Sequence, residues 1–194
     1  MPIVVIGLSH RTSPVEVRER FAFSEERIPE TLARMRAVGL AEEGVILSTC
    51  NRVELYAVAS ADDSSSIGRL RDFMIRERGY AEPLGGEVYG LGEPESLEHL
   101  FRVACGLDSM VLGETEILGQ MKRAYDLALR SRQTGACLNR AFQRAFNVAK
   151  QVRSETNIQR GNISVASVAV DLAERIFASL EGRQVMVVDR KSVV

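Results

Sequence analysis

The chain has 194 residues, 45% of them apolar and 26% charged, with a net charge of −1, which is the balance of an ordinary globular protein with one good core or one domain and part of another. No apolar run approaches the length needed to span a bilayer, and three cysteines at unrelated spacings (Cys50, Cys105, Cys137) argue against a disulfide framework and a zinc site. The cysteine usage points to a reducing, cytoplasmic compartment, and the lack of a long apolar run to no membrane association.

Pro2 to Ser9 is β-branched, ends in Gly7 and lacks a basic leading region, so it reads as a first strand and not as a signal peptide. Ser24 is placed to cap a helix with Glu26 and Arg27 in its first turn, running to about Val38 and stopping at Gly39. Gly44–Leu47 and Val53–Val58 read as strands two and three, and Ser48–Arg52 between them has the length of a hairpin loop. The polar stretch from Asp62 to Ser66 reads as a turn. Ile67, Leu70, Phe73 and Met74 then recur at helical spacing up to Gly79, and Gly86–Leu91 reads as a fourth strand. The order β-α-β-β-α-β predicts an α+β fold, a ferredoxin-like domain with a four-stranded antiparallel sheet.

From Pro94 the pattern turns helical. Leu97, Leu100, Phe101 and Ala104 form one stripe ended by Gly106; a second helix runs from about Glu116 to Arg132; a third follows Gly135. These long helices are expected to pack beside the sheet and lead away from it. After Gly161, Asn162 or Ser164 caps a further amphipathic helix. Gln184–Asp189 has the near-continuous apolar run of a strand buried on both faces, the truncated start of a Rossmann-like α/β domain. The expected division is 1–156 for a catalytic domain and 157–194 for a linker helix and first strand. Charge is uneven: between Ile117 and Arg160 nine lysines and arginines face only Asp126 and Glu155, so this segment is +7 and the remainder −8. A basic helical segment on an acidic protein is either a solvated face or the footprint of a polyanion.

Ser48-Thr49-Cys50-Asn51-Arg52-Val53-Glu54 is the most informative stretch. Free cysteines are usually buried and inert, and Cys105 and Cys137, on or beside apolar helical stripes, fit that description. Cys50 sits at a turn among hydroxyl, amide and guanidinium groups, where a nucleophilic thiol belongs. A Cys-His pair would need His10 or His99, each of which has a plain structural alternative, and the sequence alone does not choose between them.

Four blocks, in order, resemble the glutamyl-tRNA reductase family: Gly7–Glu19, Leu47–Tyr56, Gly106–Lys122, and Ala149–Thr156 followed by Gly161 and Ser164-Val165. The resemblance implies reduction of glutamyl-tRNA(Glu) to glutamate-1-semialdehyde with NADPH, the entry to tetrapyrrole (porphyrin, 5-aminolevulinate) synthesis, through a thioester on Cys50. It matches Thr49, Asn51, Arg52, Ser109, Glu114, Thr115, Glu116 and Gln120 to substrate-binding positions, with Arg52 suited to a carboxylate and Glu114 or Glu116 to the ammonium. His99 matches an activity-linked histidine, which moves it ahead of His10. The family's Gly-rich, cofactor-binding turn is not matched: Asp189-Arg190-Lys191-Ser192 follows Val188, so no NADPH binding is expected of this chain. The family is homodimeric through C-terminal helices not matched here, and glutamate-1-semialdehyde aminomutase is an implied channelling partner. The alternatives are a non-catalytic tRNA-binding or regulatory fragment, favoured by the basic segment, and an unrelated Cys-His hydrolase or acyltransferase.

Overall fold

A computed structural model describes residues 2–59, 63–158 and 164–186. Strand β1 (Ile3–Ser9) is buried along its whole length, as its β-branched run requires. It pairs antiparallel with β3 (Arg52–Ala59), from Ile3 opposite Val58 to Ser9 opposite Arg52. Strand β2 (Ala41–Ser48) flanks β3, and β4 (Tyr89–Leu91) flanks β1, giving the order β2-β3-β1-β4. With β3 between β1 and β2 and every neighbour antiparallel, this is the expected split βαβ arrangement.

Both faces of the sheet are covered. Helices α2 (Ile28–Ala37) and α3 (Asp63–Glu77) lie on one: a side chain at Gly44 would strike Leu32 and Met35, and one at Gly90 would strike Ile67. The other carries α4 (Glu95–Ala104), α5 (Glu116–Arg130) and α6 (Ala136–Glu155), with Tyr56 of β3 edge-on to Phe142 of α6 at 5.4 Å. The Glu43 carboxylate reaches from β2 to accept the N–H groups of Cys137 and Leu138, capping α6 and fastening it to the sheet edge. Cys105 is buried and Cys137 half-buried. No helix among the described residues is long and apolar enough to cross a membrane.

Several expectations need correction. The helix expected from Ser24 begins only at Ile28, as α2, and a further helix that was not expected, α1 (Val15–Phe21), precedes it, the two joined through residues 22–27. Pro29 lies in the first turn of α2, where its missing N–H costs nothing, and so marks the start that Ser24 was expected to make. The fourth strand is only Tyr89–Leu91, because β1 alone pairs with it. Residues 184–186 form no strand, and Val185 and Met186 are exposed, since no neighbouring strand pairs with them. The rest of that run, with the turn after Val188, lies outside the described residues, as does Asn162. Ser164 does cap α7 (Val165–Phe177), its hydroxyl accepting the Ser167 N–H.

Candidate active site

The turn between β2 and β3 is tied from inside. The Thr49 hydroxyl accepts the N–H groups of Asn51 and Arg52, and the Thr49 N–H donates to the Arg52 carbonyl at 2.8 Å. It is also tied from outside. The His10 N–H donates to the Asn51 carbonyl at 2.8 Å, and Nε of the buried Arg18 donates to the Cys50 carbonyl at 3.3 Å. The backbone at Cys50 is thus fixed while its side chain stays exposed, the combination a nucleophile needs.

Cys50 opens into a cleft of about 210 Å³. Thr49, Asn51 and Arg52 form one wall. The opposite wall is the segment leading into α5, with Ser109, Glu114, Thr115, Glu116 and Gln120, and the edge is closed by Ser164 and Ala166 at the start of α7. All eight expected substrate residues therefore converge on Cys50.

The 106–115 loop is held in shape by its own bonds. The Gly113 N–H donates to the Gly106 carbonyl, the Ser109 hydroxyl to Glu114, and Glu114 accepts the Glu116 N–H at the start of α5. Arg153 of α6 donates to the Glu114 carbonyl from behind. The Glu114 carboxylate is thus engaged in holding the loop, whereas Glu116 is exposed. Gly113 has φ +77°, and a Cβ there would run into the Ile158 carbonyl. Gly113→Ala is expected to cost about 1–3 kcal/mol by denaturant titration and to loosen the cleft wall. Gly68→Ala, where a Cβ meets nothing within 4 Å on α3, serves as the tolerated control.

Arg52 lines the cleft but is only 1% exposed. Its Nη1 donates to Glu54 at 2.7 Å and its Nη2 to Asp108 at 3.1 Å; Asp108 also pairs with Arg11. Glu54, fully buried, is the hub that sequence reasoning missed. It accepts hydrogen bonds from Arg52, Tyr56 and Tyr89, and its Oε1 lies 2.9 Å from Nε2 of His99 on α4. Gly7 stands opposite Glu54 in the register, where any side chain would collide with it. Burial alone would raise the Glu54 pKa. Arg52 first, then His99 and Tyr56, outweigh it and hold the carboxyl well below the usual carboxylate range. Burial, then Glu54, raises both phenols.

His99 does not line the cleft; it lies behind Glu54, joined to Arg52 through that carboxylate. His10 is nearer the Cys50 turn in bonding terms, through its N–H to Asn51. Its ring Nδ1 is buried without a partner among the described residues, and burial followed by Arg52 lowers its pKa. The signal for the hub was present as two charged residues, Arg52 and Glu54, at alternate positions of a strand that is otherwise apolar.

A family model described as the N-terminal domain of glutamyl-tRNAGlu reductase matches residues 6–156. Among curated relatives, the glutamyl-tRNA reductase of Akkermansia muciniphila is 46% identical over 187 residues, covering 96% of this chain and 55% of the relative. That of Magnetococcus marinus is 45% identical over 189 residues, covering 97% and 45%. The solved glutamyl-tRNA reductase of Methanopyrus kandleri superposes with a TM-score of 0.70 at 36% identity, over 89% of this chain and 39% of that one. The chain spans about half the length of the curated relatives it matches.

Proposed function

Because the chain belongs to the glutamyl-tRNA reductase family, we propose that it takes the glutamyl group from glutamyl-tRNA onto Cys50 as a thioester. The single observation that carries this reading is the exposed thiol of a rigidly tied turn, facing a cleft lined by all eight residues matched to substrate. The Cys50 sulfur attacks the ester carbonyl carbon, a C–S bond forms, and the C–O bond to the terminal ribose breaks. The ribose oxygen leaves with the proton the thiol gives up, so tRNA departs with a free hydroxyl. A thioester carbonyl is less resonance-stabilised than an ester and accepts hydride more readily, which suits an intermediate on the way to an aldehyde in tetrapyrrole synthesis.

Thr49 and Asn51 flank the nucleophile, and Glu116 and Gln120 of α5 line the same cleft, supplying polar groups for an amino-acid head group. Arg52, with Nη1 and Nη2 held by Glu54 and Asp108, offers the substrate carboxylate an oriented positive charge at the base of the cleft. His99 acts through Glu54, which it helps to keep ionised against Arg52.

Residues 184–186 are exposed and form no strand, so none of the described residues is assigned to a hydride step. Titration with NADPH is expected to give no saturable binding; saturation at micromolar cofactor contradicts that assignment.

Labelled glutamate supplied as glutamyl-tRNA tests the reading. Label retained after acid precipitation and released by neutral hydroxylamine supports a thioester. Tight tRNA binding without retained label favours the second reading, a non-catalytic tRNA-binding fragment. The exposed basic side chains Arg140, Arg144 and Lys150 along α6 speak for that alternative.

A further inference from the structure

Cys50 borders two clefts. The second, about 670 Å³, runs in another direction and shares only Thr49, Cys50, Glu116 and Gln120 with the first. Its far end is built by the joint between α1 and α2, where Phe23 and Ile28 are buried, and by one face of α5 carrying Arg123, Ala124 and Leu127. Positions 116, 120, 123, 124 and 127 are helical neighbours, so one stripe of α5 leads from the thiol down the whole groove. The Phe23 N–H donates to the Ser48 hydroxyl at 2.9 Å, which pins this wall to the end of β2 next to the nucleophile.

We propose that this second cleft seats the 3′-terminal nucleoside of the tRNA, with Arg123 on its phosphate; the assignment rests on Cys50 being the acyl acceptor. At the carbon that Cys50 attacks, the glutamyl chain and the ribose oxygen are separate substituents and must leave in different directions. The first cleft is sized for an amino acid and cannot also hold a nucleoside; the second lies within the range of small-molecule sites. The chemistry of its lining fits. Half-exposed Leu127 gives an apolar surface for a base, over a floor of the largely buried Ile28 and Phe23, whose ring is backed by the Arg78 guanidinium at 4.9 Å. Arg123 is exposed and makes no ion pair among the described residues, within the segment of charge +7. Glu25, on the α1–α2 side, repels phosphate and leaves the Arg123 side as the path of the backbone.

Adduct formation on this chain is followed by mass with three donors: glutamate methyl ester, 3′-O-glutamyl-adenosine, and the same nucleoside bearing a 5′-phosphate. Leu127→Trp, which fills the groove from a half-exposed position, is expected to slow both nucleoside donors about tenfold or more and leave the methyl ester unchanged. Arg123→Glu is expected to remove the advantage of the phosphorylated donor, about tenfold, and leave the other two unchanged. Unchanged methyl-ester reactivity also certifies that each variant is folded. Equal losses on all three donors, or no loss on either nucleoside, overturns the groove assignment while the nucleophile stands. No adduct from any donor with the unmodified protein overturns the nucleophile, and the groove with it.

Discussion

Cys50→Ala is expected to abolish transfer of glutamate from tRNA to the protein, a loss of about a thousandfold or more, while the unfolding midpoint stays unchanged. The asymmetry follows from how the turn is built. The bonds that shape it use the Thr49 hydroxyl and the backbone groups of Asn51 and Arg52, and its outer support from Arg18 goes to the Cys50 carbonyl. The Cys50 side chain is exposed and takes part in none of them, so its removal leaves the cleft intact and empty of a nucleophile. Cys105→Ala is the matched control. That thiol is buried, and burial raises its pKa against the pull of Arg153, so it holds little thiolate and transfer is expected to continue. Glutamyl-tRNA deacylation and alkylation of the free thiols give the two readouts.

Glu54→Ala is expected to destabilise the domain by about 3–5 kcal/mol, the cost of leaving a buried charge without its partner. Arg52, 1% exposed, would keep only Asp108, and the phenols of Tyr56 and Tyr89 would lose their acceptor. The milder Glu54→Gln keeps the shape and removes the charge, and it isolates the pH dependence. Because the folded carboxyl titrates below its unfolded value, its contribution is fully present above the ordinary carboxylate range of about 4.3 and is lost as pH falls from there toward the folded pKa. The unmodified protein should therefore lose stability through that acid window, and Glu54→Gln should start lower and fall less. Parallel curves for the two proteins would show that Glu54 is not held ionised by Arg52.

The sheet was legible because each strand announces itself locally. β1 is a β-branched, apolar run and β3 is apolar from Leu55 onward, and the short interval between Leu47 and Val53 admits only a hairpin. α1 was not, since seven residues after Pro14 are too few to establish a period. Ser24 looked like a cap, but its neighbour Phe23 is bonded to Ser48, so the chain turns there before α2 begins at Ile28. The cleft residues came from the family resemblance, and the fold does bring them around one thiol. Glu54 escaped notice because polar residues at alternate positions of a strand ordinarily face water. Here that face is sealed by α4 and α6, and besides Arg52 and Tyr56 the partners that make the charge tolerable are Tyr89 and His99, far away in sequence. The second cleft depends wholly on the α1–α2 joint approaching α5, a tertiary fact with no local signature.

Intact mass of the protein, acid-quenched after mixing with glutamyl-tRNA and followed by peptide mapping, tests the thioester most directly. The expected result is a gain of one glutamyl group, confined to the peptide carrying Cys50 and absent from Cys50→Ala. Glutamate found on another residue, or tRNA deacylated at an equal rate by Cys50→Ala, contradicts it.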